Sequence, residues 1–145
     1  MQNQPKQVAI VGRGVIEELF DTETYEVIHV VDGGLRRRVL EHIPFECVSN
    51  TAGVCSSPDI GAPFFPDTGY FMVGFGTASG DSGSGIVRQW SYNAEQPRVI
   101  GVQSAGTVDP ETGVPNFGFG VRLDRHAKFL KKHLDCGLNG LCQGS

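Results

Sequence analysis

Glycine punctuates this chain from end to end, 20 times in 145 residues, with 8 prolines interspersed. The stretches left between are short and rich in β-branched and aromatic side chains, as at residues 7–11, 25–31, 69–75 and 117–121. A helix bundle needs long periodic runs that such spacing interrupts, whereas strands of about 5–6 residues fit between the turns. The pattern predicts an all-β chain of many short strands.

The order of elements follows from the same signals. Asp32-Gly33 marks a tight turn and predicts a hairpin between residues 25–31 and 35–43. Residues 47–68 lack periodicity and read as a long loop, and residues 76–85 are small and glycine-rich, a second loop. Residues 86–90 and 98–103 form an expected hairpin around Asn93, and residues 108–115 a connection. The tail differs: Leu123, Ala127, Leu130 and Leu134 recur at helical spacing, with Asp124 placed as a cap and Gly137 as a terminator. Six or seven strands followed by one helix are expected, in a single domain spanning residues 1–145 with no repeat or linker.

Charge and cysteine content narrow the classes of function. The formal net charge of -4 argues against nucleic acid as the main partner. Arg36-Arg37-Arg38, the one basic run, reads as a solvated strand face. No apolar run reaches the roughly 18 residues of a spanning helix, so no membrane partner is expected. Cys47, Cys55, Cys136 and Cys142 show neither CxxC spacing nor a histidine at zinc-finger distance, so no metal is expected. An even set of cysteines instead suggests disulfides and an extracellular or secretory compartment. Residues 1–5 open no apolar signal region.

The chemistry centres on Gly80-Asp81-Ser82-Gly83-Ser84-Gly85. Four further segments stand in matching order around it: Gln7 to Gly14 with its Gly-x-Gly turn, Leu35 to Leu40 leading up to Cys47, Ile100 to Gly106, and Pro115 to Val121 before the helix. Together they make the chain resemble the C-terminal barrel of the trypsin/chymotrypsin-like serine proteases over most of its length. That resemblance implies a single antiparallel six-stranded barrel with a C-terminal helix. It implies Ser82 as nucleophile and the backbone N–H groups of Gly80 and Ser82 as donors to a developing oxyanion. Asp81 matches the residue that pairs with a new N-terminal ammonium after zymogen cleavage. Gly76 matches the floor of the substrate pocket, and Thr77, Ser104, Gly106 and Asn116 its walls. With no acid at Gly76, the pocket is expected to be uncharged and to take apolar or polar uncharged side chains.

The chain also departs from the family. Ala78 stands where a cysteine is usual, and residues 107–114 offer no partner for one, so the pocket disulfide is missing. The resemblance pairs Cys47 with Cys55, while Cys136 and Cys142 either pair locally or reach a partner outside the chain. The triad's histidine and aspartate come, in that family, from a preceding barrel. The strands ahead of the serine would then need about 90–100 residues at about 5–6 per strand and about 4–6 per connection. Only 81 residues precede Ser82. The first barrel is therefore expected to be absent from these residues. His29 and His42 read as strand-borne surface histidines, His126 and His133 as exposed on the terminal helix, and Asp59 and Asp67 as loop acids.

The expected function is a serine-type endopeptidase acting on a polypeptide without a cofactor. The chain is expected to be a fragment or one chain of a larger protease, nearly inert alone, needing an N-terminal barrel for histidine and aspartate. The alternative is a catalytically inactive homologue that binds peptides along the strand near Ser104. A dinucleotide-binding reading takes residues 8–14 as strand and GxG turn, residues 15–20 as the start of a helix, and Asp32 as the ribose acid. Against it, Glu17 occupies the third-glycine position and the helix would be too short to cross a sheet.

Overall fold

The computed structural model describes residues 5–34, 36–49, 69–74 and 78–140. Its strands are β1 (Gln7–Gly12), β2 (Glu17–Phe20), β3 (Val27–Val31), β4 (Arg38–Ser49), β5 (Tyr70–Val73), β6 (Gly85–Arg88), β7 (Val99–Val108) and β8 (Pro115–Arg122). A short helix α1 (Gln89–Asn93) lies between β6 and β7. A 3-10 turn (Leu123–His126) leads into the terminal helix α2 (Ala127–Asn139).

Six strands close into an antiparallel barrel in the order β1-β4-β5-β8-β7-β6. Within the ring, β6-β1-β4-β5 has Greek-key order: three successive barrel strands are flanked by a fourth that returns beside the first. Side chains alternate across β5, with Phe71 and Val73 in one buried cluster and Met72 in another. The first cluster gathers Val8, Ile10, Ile43, Val48 and Ile86 as well, and the second joins Cys47 and Phe119.

Phe71 is the centre of the first cluster and is fully buried. Its ring stacks on Phe45 at 5.2 Å between centroids. It also covers two glycines: a Cβ on Gly101 would stand 2.3 Å from its Cε1, and one on Gly120 2.6 Å from its Cζ. The large ring and the two missing side chains are one packing solution. Burial of a phenylalanine this complete contributes about 1.5–3 kcal/mol.

The all-β expectation, the barrel and the terminal helix hold, but several local expectations do not. Residues 25–31 were expected to pair with residues 35–43; instead β3 pairs with β2 in a separate two-stranded sheet, and β4 pairs with β1 and β5. Asp32 does turn the chain, its Oδ1 accepting the Gly34 N–H at 2.8 Å, but the turn leads out of the hairpin and into the barrel. The β6–β7 hairpin forms as expected, with α1 inside its connection. Asp124 does not cap the helix; it accepts hydrogen bonds from Arg122 at 2.9 and 2.6 Å. Helix α2 runs through Gly137 and ends at Gly140, whose φ of +66° is the left-handed terminator conformation. Its apolar stripe is largely open to solvent, with Leu134 at 61% exposure. Residues 15–20 form no helix, which removes the basis of the dinucleotide-binding reading. Neither Cys47 nor Cys136 carries a free thiol. Cys55 and Cys142 lie outside the described residues, as do Asp59 and Asp67.

Candidate active site

The loop that carries Ser82 leaves β5 and returns as β6, and it is locked from below by Asp81. Only 6% of Asp81 is exposed. Its Oδ1 accepts the Gly14 N–H at 2.7 Å, and its Oδ2 accepts the Ala78 N–H at 3.1 Å. The Gly12-Arg13-Gly14 turn after β1 makes room for this carboxylate. A Cβ on Gly12 would fall 2.1 Å from Asp81 Oδ1, and one on Gly14 2.5 Å from Oδ2. The GxG motif is thus a seat for a buried acid.

Backbone donors in the loop divide into two groups. The amides of Ala78, Ser79, Asp81, Gly83 and Ser84 donate to Asp81 Oδ2, Glu18, Ala78 O, Gln103 O and Asp81 O respectively. The amides of Gly80 and Ser82 donate to nothing among the described residues. Gly80 has φ +95°, a conformation that costs a residue with a Cβ dearly, and such a Cβ would also press on Gly14 Cα at 3.1 Å. Both Gly80 and Ser82 are exposed to solvent. Two exposed amides that face solvent on either side of Asp81 form a small concentrated donor site.

Ser82 borders a cavity of about 220 Å³. Ser104 and Gly106 line it, as expected. Asn116 stands one step behind the wall: its Oδ1 accepts from the hydroxyl of Thr107, a lining residue, at 2.6 Å and from the Phe117 N–H at 3.0 Å. Gly76 and Thr77 lie outside the described residues. One cavity wall is a strand edge. β6 pairs with β7 only as far as Val102, whereas β8 follows β7 to Val108. Beyond the Gln103–Ser84 bond, residues 104–108 therefore have no strand neighbour on the Ser82 side among the described residues.

The sequence reading missed the contribution of β2. Glu18 is 8% exposed and lines the Ser82 cavity together with Phe20. Its Oε2 accepts the Ser79 N–H at 3.0 Å, and its Oε1 accepts the Ser79 hydroxyl. Val15 N–H donates to Ser79 O at 3.0 Å, and Phe20 N–H to Gly113 O at 2.8 Å. The β2–β3 sheet is thereby strapped to both the Ser82 loop and the β7–β8 turn. That turn is itself ordered by Asp109, whose carboxyl is held below its usual range by the amides of Glu111 and Thr112. The cavity wall therefore includes the Glu18 carboxyl, with both oxygens engaged by Ser79, while Gly76, the expected pocket floor, lies outside the described residues. The only sequence signal for this was the pair Glu17-Glu18 beside Leu19-Phe20, too short to assign.

The histidines stand elsewhere. None lines the Ser82 cavity or the cavity of about 220 Å³ behind Asp81. His29 on β3 faces Glu17 at 3.9 Å, and His42 on β4 meets Gln7 Oε1 at 3.1 Å. His126 and His133 are exposed. No cluster of three or more potential metal ligands occurs among the described residues. No helix among them is long and apolar enough to cross a membrane. No family model matches the chain, and neither a curated protein nor a solved structure matches it.

Proposed function

We propose that this chain carries the nucleophile and the oxyanion donors of a serine-type endopeptidase of the trypsin-like kind. The observation that supports this best is the donor pattern of the Ser82 loop, in which the Gly80 and Ser82 amides alone are uncommitted among residues 78–84. Acyl transfer needs donors aimed at the new oxyanion beside the attacking oxygen, and here they are the amide of Ser82 itself and that of Gly80, two residues before it. The free edge of β7 at residues 104–108 suits an extended polypeptide, which would pair with it as an added strand and present a side chain to the cavity. On this reading the general base and its orienting carboxylate come from a second barrel, since no histidine borders the cavity. Without a base, turnover falls by about 10⁶, leaving roughly 10³–10⁴ over water. An oxidising compartment and a Cys47–Cys55 bridge belong to the same proposal.

Fluorophosphonate labelling of the native assembled protein tests it, with the modified residue located by peptide mass spectrometry. Labelling at Ser82, slow or absent in the isolated chain and rapid in the assembly, is the expected result. Labelling at another serine, or none in the assembly, overturns it. In that event a peptide-binding module is the reading that the free β7 edge still favours. Retention of peptides by the assembly, lost when Gly106 is replaced by proline, would identify it.

A further inference from the structure

We propose that Glu18 is a positioning residue, holding Ser79 so that the Ser79–Gly80 peptide unit keeps a single orientation. The geometry is independent of the serine-type reading; the catalytic consequence rests on it. All three polar groups of Ser79 are committed to one short segment. Its N–H and hydroxyl go to the two oxygens of Glu18, and its carbonyl accepts from Val15. A trans peptide is planar, so the Ser79 carbonyl and the Gly80 N–H point in opposite directions. Fixing the carbonyl on Val15 turns the Gly80 N–H away from the strap.

Gly80 is the weak point of this arrangement. Glycine resists rotation of its flanking peptides less than any other residue, and here it sits at φ +95°. With Glu18 removed, only the Val15–Ser79 bond would hold the unit, and the peptide could rotate between two orientations. With Glu18 present, residue 79 is anchored on both sides of its Cα. The carboxylate is itself captive: it is almost wholly buried, no cation lies within ion-pair distance among the described residues, and Ser79 supplies both of its hydrogen bonds. Releasing Ser79 would leave that charge unsatisfied, which is costly.

The test uses the native assembled protein with ¹⁵N-labelled glycine, as Glu18→Ala, Glu18→Gln and Ser79→Ala variants. In Glu18→Ala and Ser79→Ala the Gly80 amide resonance is expected to shift and broaden through exchange, while the thermal transition stays cooperative. Peptide turnover should fall about 10–100-fold in kcat with KM within about twofold, a fraction of the effect of deleting an oxyanion donor. Glu18→Gln, which keeps an acceptor, should recover most of both. An unmoved Gly80 resonance in folded Glu18→Ala or Ser79→Ala overturns the proposal, as does a raised KM at unchanged kcat. If Glu18→Ala does not fold, Ser79→Ala and Glu18→Gln decide the question by the same readouts. Ser82→Ala separates the two readings: turnover that survives it refutes the nucleophile, whereas the Gly80 resonance still reports the clamp.

Discussion

Gly14 donates its backbone N–H to Asp81 Oδ1 at 2.7 Å, joining the turn after β1 to the loop that carries Ser82. Asp81→Asn keeps the shape but turns an amide NH₂ toward one of the two backbone donors, Gly14 or Ala78. Such a buried donor–donor conflict is expected to lower unfolding stability by about 2–3 kcal/mol. Gly14→Ala forces a methyl to within 2.5 Å of the same carboxylate and is expected to cost about 1–3 kcal/mol. Urea denaturation of the two single variants and the double variant checks this. Because both act on one contact, the double variant should lose less than the sum.

Phe71 and Gly101 form a second testable pair. Phe71→Ala empties the centre of the barrel and is expected to cost about 3–5 kcal/mol. Gly101→Ala alone overpacks the ring and is expected to cost about 1–3 kcal/mol. Combined with Phe71→Leu, the alanine gains room, so its penalty should shrink. Equal penalties in the two backgrounds would show that the glycine serves something other than the ring.

Ser82 is exposed and makes no side-chain hydrogen bond among the described residues. Ser82→Ala should therefore change stability by less than about 0.5 kcal/mol. The same variant should abolish covalent labelling. A drop in thermal midpoint of many degrees would mean that the hydroxyl has a structural task instead.

Arg122 is 1% exposed and its guanidinium is paired with Asp124. The Asp124 carboxyl is held below its usual range, chiefly by the hydrogen bond from Arg122. A carboxyl lowered in the folded state stabilises at pH values above its unfolded pKa, about 3.9. That contribution disappears as pH falls through the lowered folded value. Its size is on the order of 1 kcal/mol, since the Asp124 side chain is 41% exposed. Wild type should lose more stability than Asp124→Asn between pH 7 and pH 2. Parallel losses would assign the acid sensitivity to other groups.

Much of the barrel was legible because its strands are short, β-rich and bounded by glycine. The residues at β1, β5, β6, β7 and β8 announce themselves in this way. The partner of each strand did not. Asp32-Gly33 has the composition of a hairpin turn, yet β3 folds back on β2 through a turn in which Asp21 Oδ1 accepts the Glu23 and Thr24 N–H groups, while β4 is taken by β1 and β5. β2 itself, Glu17–Phe20, begins with two acids, and the burial of Glu18 depends on Ser79, which lies 61 residues away in sequence. At α2, glycine chemistry signalled an end one turn too soon, since Gly137 is tolerated inside the helix and Gly140 takes the terminal conformation. The candidate site divides in the same way. Ser82, Gly80, Ser104 and Gly106 stood out as a local motif or strand, whereas the strap from β2 required the tertiary structure.

The Greek-key order also sets a timetable. β6 follows Ser82 in the chain, and its place is beside β1, where Val87 pairs with Ala9. Bringing such distant segments together spends conformational entropy before the contacts form, so this pairing is expected among the slow steps of folding. Until it forms, the Asp81 seat on Gly12 and Gly14 is tethered at one end only. A nascent or partly opened chain thus contains the serine without the ordered donors around it. Ring closure acts as a checkpoint that couples completion of the fold to assembly of the site.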